Sequence, residues 1–195
     1  MNETPLTPKR ESILAASLKV FSEKGFHNAK IEEIAQVAQV GKGTVYEYFQ
    51  SKNQLFQEML KEGMTAFDRA MEACLQQEDS VKGKLKVIIR QSIQLGHDYR
   101  PLAKVALLEG TVIEESIREW MISSYIKRVR RIEAIIQEGI DKGEFRLSKP
   151  KLFTSLFYAA MGGLHSPFME EDLSLEGTEE LVEQIIDILY HGIAL

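Results

Sequence analysis

The chain is poor in most of the groups that carry chemistry. Among 195 residues there is one cysteine, Cys74, with four histidines, five prolines and no run of 18 apolar side chains. A single thiol excludes an internal disulfide framework and any zinc cage built on several cysteines. The histidines stand at 27, 97, 165 and 191, and none falls in an H-E-x-x-H spacing. His97-Asp98 has no serine-nucleophile motif around it, and the acidic pairs Glu114-Glu115 and Glu170-Glu171 read as solvated termini. Cys74 falls on the apolar side of a helical stretch, where it reads as a small core residue. The expectation is therefore no catalysis, no metal and no cofactor. With no basic-plus-apolar leader and no membrane-length apolar run, the expected chain is soluble and cytoplasmic and has no membrane partner.

What is present suffices for a core, since 44% of residues are hydrophobic against 27% charged. The net charge of −5 hides an asymmetry. Residues 1–52 carry seven Lys/Arg and six Asp/Glu, whereas residues 53–195 carry seventeen and twenty-three. Only the N-terminal piece is electrostatically fit to approach phosphates.

Apolar residues recur at helical spacing along the whole chain. Thr7-Pro8 reads as a cap followed by proline at the first helical position. Ile13, Leu14, Leu18, Val20 and Phe21 then form a stripe that ends at Gly25. Short helices follow at Ile31 to Ala38 and at about Lys42 to Phe49, joined by a tight turn, which is a helix-turn-helix arrangement. Ser51 and Gln54 form a capping box that opens a fourth helix along Phe56, Leu60, Met64, Phe67, Met71 and Leu75. Further helices are predicted from Val81 to near Gly96, from Pro101 to Leu108, and from Glu114 to Asp141 with Ile122, Ile126, Val129, Ile132, Ile136 and Ile140 on one stripe. Two more run from Ser148 to about Leu164 and from Thr178 to Gly192. The fold class is all-α, with nine helices, no strand and no internal repeat. The expected domains are a helix-turn-helix domain, 1–52, and a larger helical domain, 53–195.

The last two helices are apolar over more than one packing face, through Phe153, Leu156, Phe157 and Met161 and then Val182, Ile186 and Ile188. Two readings are open: both helices are central in the monomer core, or a second subunit covers them in a two-fold four-helix bundle.

The stretch from Gln36 to Phe49, QVAQVGKGTVYEYF, carries the strongest functional signal. A phosphate-cradling loop needs a preceding strand and the order G-x-x-x-x-G-K-[ST]; here a helix precedes Gly-Lys-Gly-Thr. A core helix accounts for Val40, Val45 and Phe49 but gives no reason for Lys42, Thr44, Tyr46 and Tyr48 on the other face. Hydroxyls and an ammonium there suit phosphate oxygens and base edges, and Gly43 removes a side chain where backbone must approach a groove.

From ILAASLKVFSEKGF through IEEIAQVAQVGKGTVYEYFQSKNQLF, roughly residues 9–60, the chain resembles the TetR family of transcriptional regulators. The resemblance implies a homodimer, joined through the last two helices, that binds a palindromic double-stranded DNA operator. It also implies release when a small organic effector enters the C-terminal domain, with repressor as the default role. By position, Lys42, Gly43 and Tyr46 correspond to residues nearest base edges, and Thr44, Tyr48 and Lys52 to phosphate contacts. Lys30 opens the second helix, where further contacts fall. Glu32 has two readings, a solvated first-turn acid or an acceptor for a cytosine amino group. The family pattern has glycine where this chain has Gln39, a serine cap where it has Gly41, and a Ser/Thr cap where it has Lys30.

The expected effector-lining residues are the polar or aromatic ones on inward-facing helices, namely His97, Glu109, Trp120, Tyr125, Tyr158, Met161 and His165. Each has a plainer reading as core or helix-end residue. The run Lys127, Arg128, Arg130 and Arg131 is expected to be mostly solvated. A helical adaptor that binds a protein and never touches DNA accounts for the apolar C-terminal helices equally well, but not for the polar face around Lys42 and Tyr46.

Overall fold

The computed structural model describes residues 7–108, 112–146, 149–164 and 177–193, with backbone alone at 95–108, 162–164 and 192–193. Residues 1–6, Glu109, Ser148 and His165 lie outside the described residues. Eight helices follow one another: α1 (Pro8–Asn28), α2 (Ile31–Val37), α3 (Lys42–Tyr48), α4 (Lys52–Leu75), α5 (Val81–Leu108), α6 (Glu115–Asp141), α7 (Pro150–Leu164) and α8 (Thr178–Ile193). The all-α expectation holds. Among the described residues the count is eight and not nine, because the segments before Gly96 and after Pro101 are one continuous helix, α5. An interior glycine costs only about 1 kcal/mol, and proline removes one backbone bond, so neither stops a helix that its flanking turns hold.

Two compact units divide the chain. One comprises Met1–Ala66 with Pro101–Arg118, the other Phe67–Arg100 with Glu119–Leu195. The expected functional division at 52/53 coincides with the start of α4, whereas compactness divides the chain further along that helix.

In the first unit α1 starts as the sequence predicts, with the Thr7 hydroxyl accepting from the Arg10 N–H at 3.3 Å and proline in the first turn. Helical geometry breaks at Gly25, whose φ is 75°, and a last short turn runs on to Asn28. Ile13, Phe21, Ile34, Val45, Phe49, Leu55 and Phe56 are almost wholly buried and form the core of this unit. Phe21 and Phe26 both meet the Phe56 ring, at 5.2 and 5.1 Å between centroids, so α4 closes the core that α1 begins. Arg10 is buried too. Its guanidinium pairs with Glu58 and lies 5.4 Å above the Phe49 ring, so the charge is compensated where it is desolvated.

The second unit has its own core, to which Leu75, Leu85, Ile89, Ile136, Phe157, Val182 and Ile186 contribute. The long apolar stripe expected on α6 holds only in its C-terminal half. Ile122 and Ile126 are exposed, and Ser124, Ile132, Ile135, Ile136 and Gly139 are buried. The cause is Arg128, which turns inward to make a two-toothed pair with Asp68 at 2.7 and 3.2 Å. Arg131 likewise meets Glu72 at 2.8 Å, so half of the basic run is spent on α4 and not on solvent. Leu152 and Leu156 on α7 and Ile188 on α8 are exposed, at 59%, 61% and 71%, so these helices are not wholly core in the single chain. Among the described residues no helix is long and apolar enough to cross a membrane.

Candidate nucleic-acid interface

The connection between α2 and α3 is built by backbone hydrogen bonds. The Val40 N–H donates to the Ala35 carbonyl at 2.9 Å and the Gln39 N–H to the Gln36 carbonyl at 3.2 Å, the paired bonds of a Schellman helix end. That geometry requires a left-handed residue, and Gln39 supplies it with φ of 56°, alone among the described non-glycine residues. A side chain in that region costs about 1 kcal/mol relative to glycine. α3 then starts at Gly41, which has extended backbone and no side chain with which to hold an orphan N–H.

Within α3 the expected faces hold for Lys42, Tyr46, Val45 and Phe49, but not for Thr44 and Tyr48, whose expected place is the exposed face. Val45 and Phe49 are buried, while Lys42, Gly43 and Tyr46 are exposed and Thr44 and Tyr48 are half-buried. A Cβ added at Gly43 would meet nothing within 4 Å, so that side of the helix start is open.

The exposed face carries a compact electrostatic arrangement. Lys42 Nζ donates to Glu32 Oε1 at 2.5 Å and lies 5.9 Å from the centre of the Tyr46 ring. The bond from Lys42 holds the Glu32 carboxyl below the usual carboxylate range, and the same bond raises the Lys42 ammonium. Glu33, one residue on, is bound otherwise. It accepts from the Lys30 backbone N–H at 3.2 Å and from Lys24 Nζ at 2.8 Å, forming half of a capping box that Lys30, which has no acceptor, does not reciprocate.

Two of the expected contact residues are tied into the unit. Lys52 Nζ donates to the His27 and Ala29 carbonyls at 3.1 and 3.0 Å and sits 4.6 Å from the Phe26 ring centre. The first residue of α4 thereby satisfies carbonyls left over at the end of α1. Tyr48 accepts from the Thr7 hydroxyl at 3.1 Å, linking the end of α3 to the start of α1. Sequence reasoning missed Glu32 as the partner of Lys42, as well as the Thr7–Tyr48 and Arg10–Glu58 links, because each crosses a turn whose course no local pattern specifies. At the start of α4 the Gln54 N–H donates to the Ser51 hydroxyl at 3.0 Å, as expected, but the Gln54 side chain reaches back to the Gln50 N–H and not to Ser51.

Of the residues expected to line an effector site, the structure joins two. The Tyr125 and Tyr158 rings meet edge to face at 4.8 Å. Tyr125 is half exposed; burial raises the Tyr158 hydroxyl above its ordinary value, against the neighbouring Arg128. Burial also works against the Arg128 charge, yet Asp68 more than offsets it and the guanidinium stands above its ordinary range. Trp120 is half-buried on α6 and Met161 is buried in the core. The His97 side chain, with Glu109 and His165, lies outside the described residues.

A strained, hydrogen-bonded turn joining α2 to an exposed polar helix defines a helix-turn-helix regulator. Residues 13–59 match the bacterial regulatory proteins of the tetR family, and residues 111–192 match the tetracyclin repressor-like C-terminal domain. The chain is 31% identical to the fatty acid metabolism regulator protein of Bacillus subtilis (strain 168) over 140 residues, 71% of this chain and 72% of that one. It is 30% identical to the HTH-type transcriptional regulator YhgD of the same organism, over 74% of this chain and 75% of that one. Among solved structures, FadR from Bacillus subtilis in complex with stearoyl-CoA superposes with a TM-score of 0.73 at 25% identity, covering 94% of this chain and 98% of that one. AibR in complex with isovaleryl coenzyme A and operator DNA shares the fold, with a TM-score of 0.73 at 18% identity over 93% and 98%. The chain belongs to the tetR family of transcriptional regulators.

Proposed function

We propose that this chain is a ligand-responsive repressor that binds a palindromic operator as a homodimer and releases it when an acyl-CoA thioester enters the C-terminal domain, residues 53–195. The observation that carries the DNA-binding half is the exposure of Lys42, Gly43 and Tyr46 together on one face of α3, opposite buried Val45 and Phe49. In this reading α3 enters the major groove, and the three residues meet base edges. Lys30 and Thr44 serve phosphates. Lys52 and Tyr48 serve them too: each keeps an N–H or O–H donor beyond its internal bonds. The exposed Leu152, Leu156 and Ile188 support a subunit interface through α7 and α8.

The effector class rests on relatives. One is named a fatty acid metabolism regulator and another was solved with stearoyl-CoA. An apolar helical unit with a few fixed polar groups, such as Arg128, Tyr158 and Tyr125, suits an acyl chain joined to a polar carrier.

The test is selection of duplexes from a random pool by the ligand-free protein at about physiological salt, where phosphate binding alone is weak. An enriched palindrome that stearoyl-CoA displaces is expected. Binding is reciprocal, so operator must weaken acyl-CoA binding by the factor by which acyl-CoA weakens operator binding. A folded dimer that enriches no sequence would sink this reading and favour a protein-binding helical adaptor.

A further inference from the structure

We propose that Glu32 is a specificity-determining residue of the DNA-reading face, a tether that keeps the Lys42 ammonium beside α3 and withholds it from phosphates. This rests on the reading of α3 as the helix that enters DNA. In the fold Glu32 serves as a first-turn acid of α2 that accepts from its own backbone N–H. Its neighbour Glu33 takes the helix-capping role and the bond to Lys24, whereas the Glu32 carboxylate spans from α2 to Lys42 at the start of α3. The two side chains are 58% and 52% exposed, so the bond is open to solvent and exchanges readily. Its consequence lies in where the ammonium can go.

An ammonium has three donors. With one on Glu32 Oε1 and the ammonium 5.9 Å from the centre of the Tyr46 ring, two remain that can meet the O6 and N7 acceptors of a guanine while the tether holds. In this reading a phosphate along the backbone lies outside the reach of the tethered ammonium, and to meet one Lys42 must give up its bond to Glu32. Non-specific binding consists almost entirely of phosphate contacts, so it bears that penalty, while a complex seated on the correct bases does not. Glu32 therefore widens the gap between operator and unrelated DNA by weakening the latter.

The experiment compares wild type, Glu32→Gln, Lys42→Met and the double variant on the selected operator and on a scrambled duplex of equal length, across a salt series. Both positions are exposed, so all four proteins are expected to melt alike. Glu32→Gln should bind the scrambled duplex about three- to tenfold more tightly, with a salt slope steeper by about one, while operator affinity changes less than about twofold. In the Lys42→Met background the same substitution should have almost no effect on scrambled DNA. Equal changes on both duplexes would overturn the proposal. So would an undiminished gain without Lys42, which would mean that the carboxylate repels DNA by itself. A changed base preference at one operator position would overturn it too, since Glu32 would then read a base directly. If wild type prefers neither duplex, the DNA-reading assignment of α3 has failed, whatever Glu32→Gln does.

Discussion

Lys42 and Lys52 stand ten residues apart, and the family resemblance gives both to DNA, Lys42 to base edges and Lys52 to phosphate. The structure treats them differently. Lys42 is exposed, beside an exposed carboxylate and the exposed ring of Tyr46. Lys52 is committed to two backbone carbonyls and the face of Phe26. The tyrosines repeat the contrast: Tyr46 is exposed at 45%, while Tyr48 is bound to Thr7. The lesson is that one short basic and aromatic stretch holds two kinds of residue. One kind stands exposed on α3; the other is bonded into the neighbouring helices.

Substitutions can break this comparison. The largest effect is expected from Tyr46→Ala, which should weaken operator binding on the order of tenfold or more and leave thermal unfolding unchanged, because the ring contributes little to the core. Lys52→Met comes next. Removing an ammonium that serves two helix-end carbonyls should lower stability by about 1–2 kcal/mol, read as a lower urea midpoint with an unchanged slope. Smaller effects sharpen the picture of the turn. Gln39→Gly should raise stability by about 1 kcal/mol by relieving the left-handed side chain. Gly41→Ser should add a few tenths, roughly 0.2–0.5 kcal/mol, through the missing cap. Its new Cβ would lie 3.9 Å from Thr44 Oγ1, an ordinary contact.

A second helix end shows why Gln39 is the costly member. α6 closes with the same pair of bonds, Glu144 N–H to the Gly139 carbonyl at 2.8 Å and Gly143 N–H to the Ile140 carbonyl at 3.0 Å. There the left-handed position is Gly143, with φ of 74°. The Phe145 ring packs so closely on Gly139 that a Cβ would fall 2.4 Å from it. Glycine is used where the chain must turn and pack; glutamine is kept in the turn that leads to α3.

Much of the fold was legible because it rests on local patterns. Helical spacing identified Ile13, Phe21, Val45 and Phe49 as core, and Thr7 and Ser51 were readable as caps from their neighbours. Local pattern failed at Gly96 and Pro101, which lie inside the continuous α5. The stripe on α6 misled as well. An isoleucine pattern pointed outward there because Arg128 had a partner 60 residues away in Asp68. At the interface, residue type and face could be read, but partners could not. Glu32 with Lys42, Thr7 with Tyr48 and Lys52 with the end of α1 are all made across turns.

The most direct test crosses the two kinds of residue in two assays, measuring operator affinity and urea unfolding for Tyr46→Ala and Lys52→Met side by side. The account predicts that Tyr46→Ala loses operator affinity at full stability and that Lys52→Met loses stability. A Tyr46→Ala protein that binds operator like wild type, or a Lys52→Met protein that unfolds at the wild-type midpoint, would contradict it.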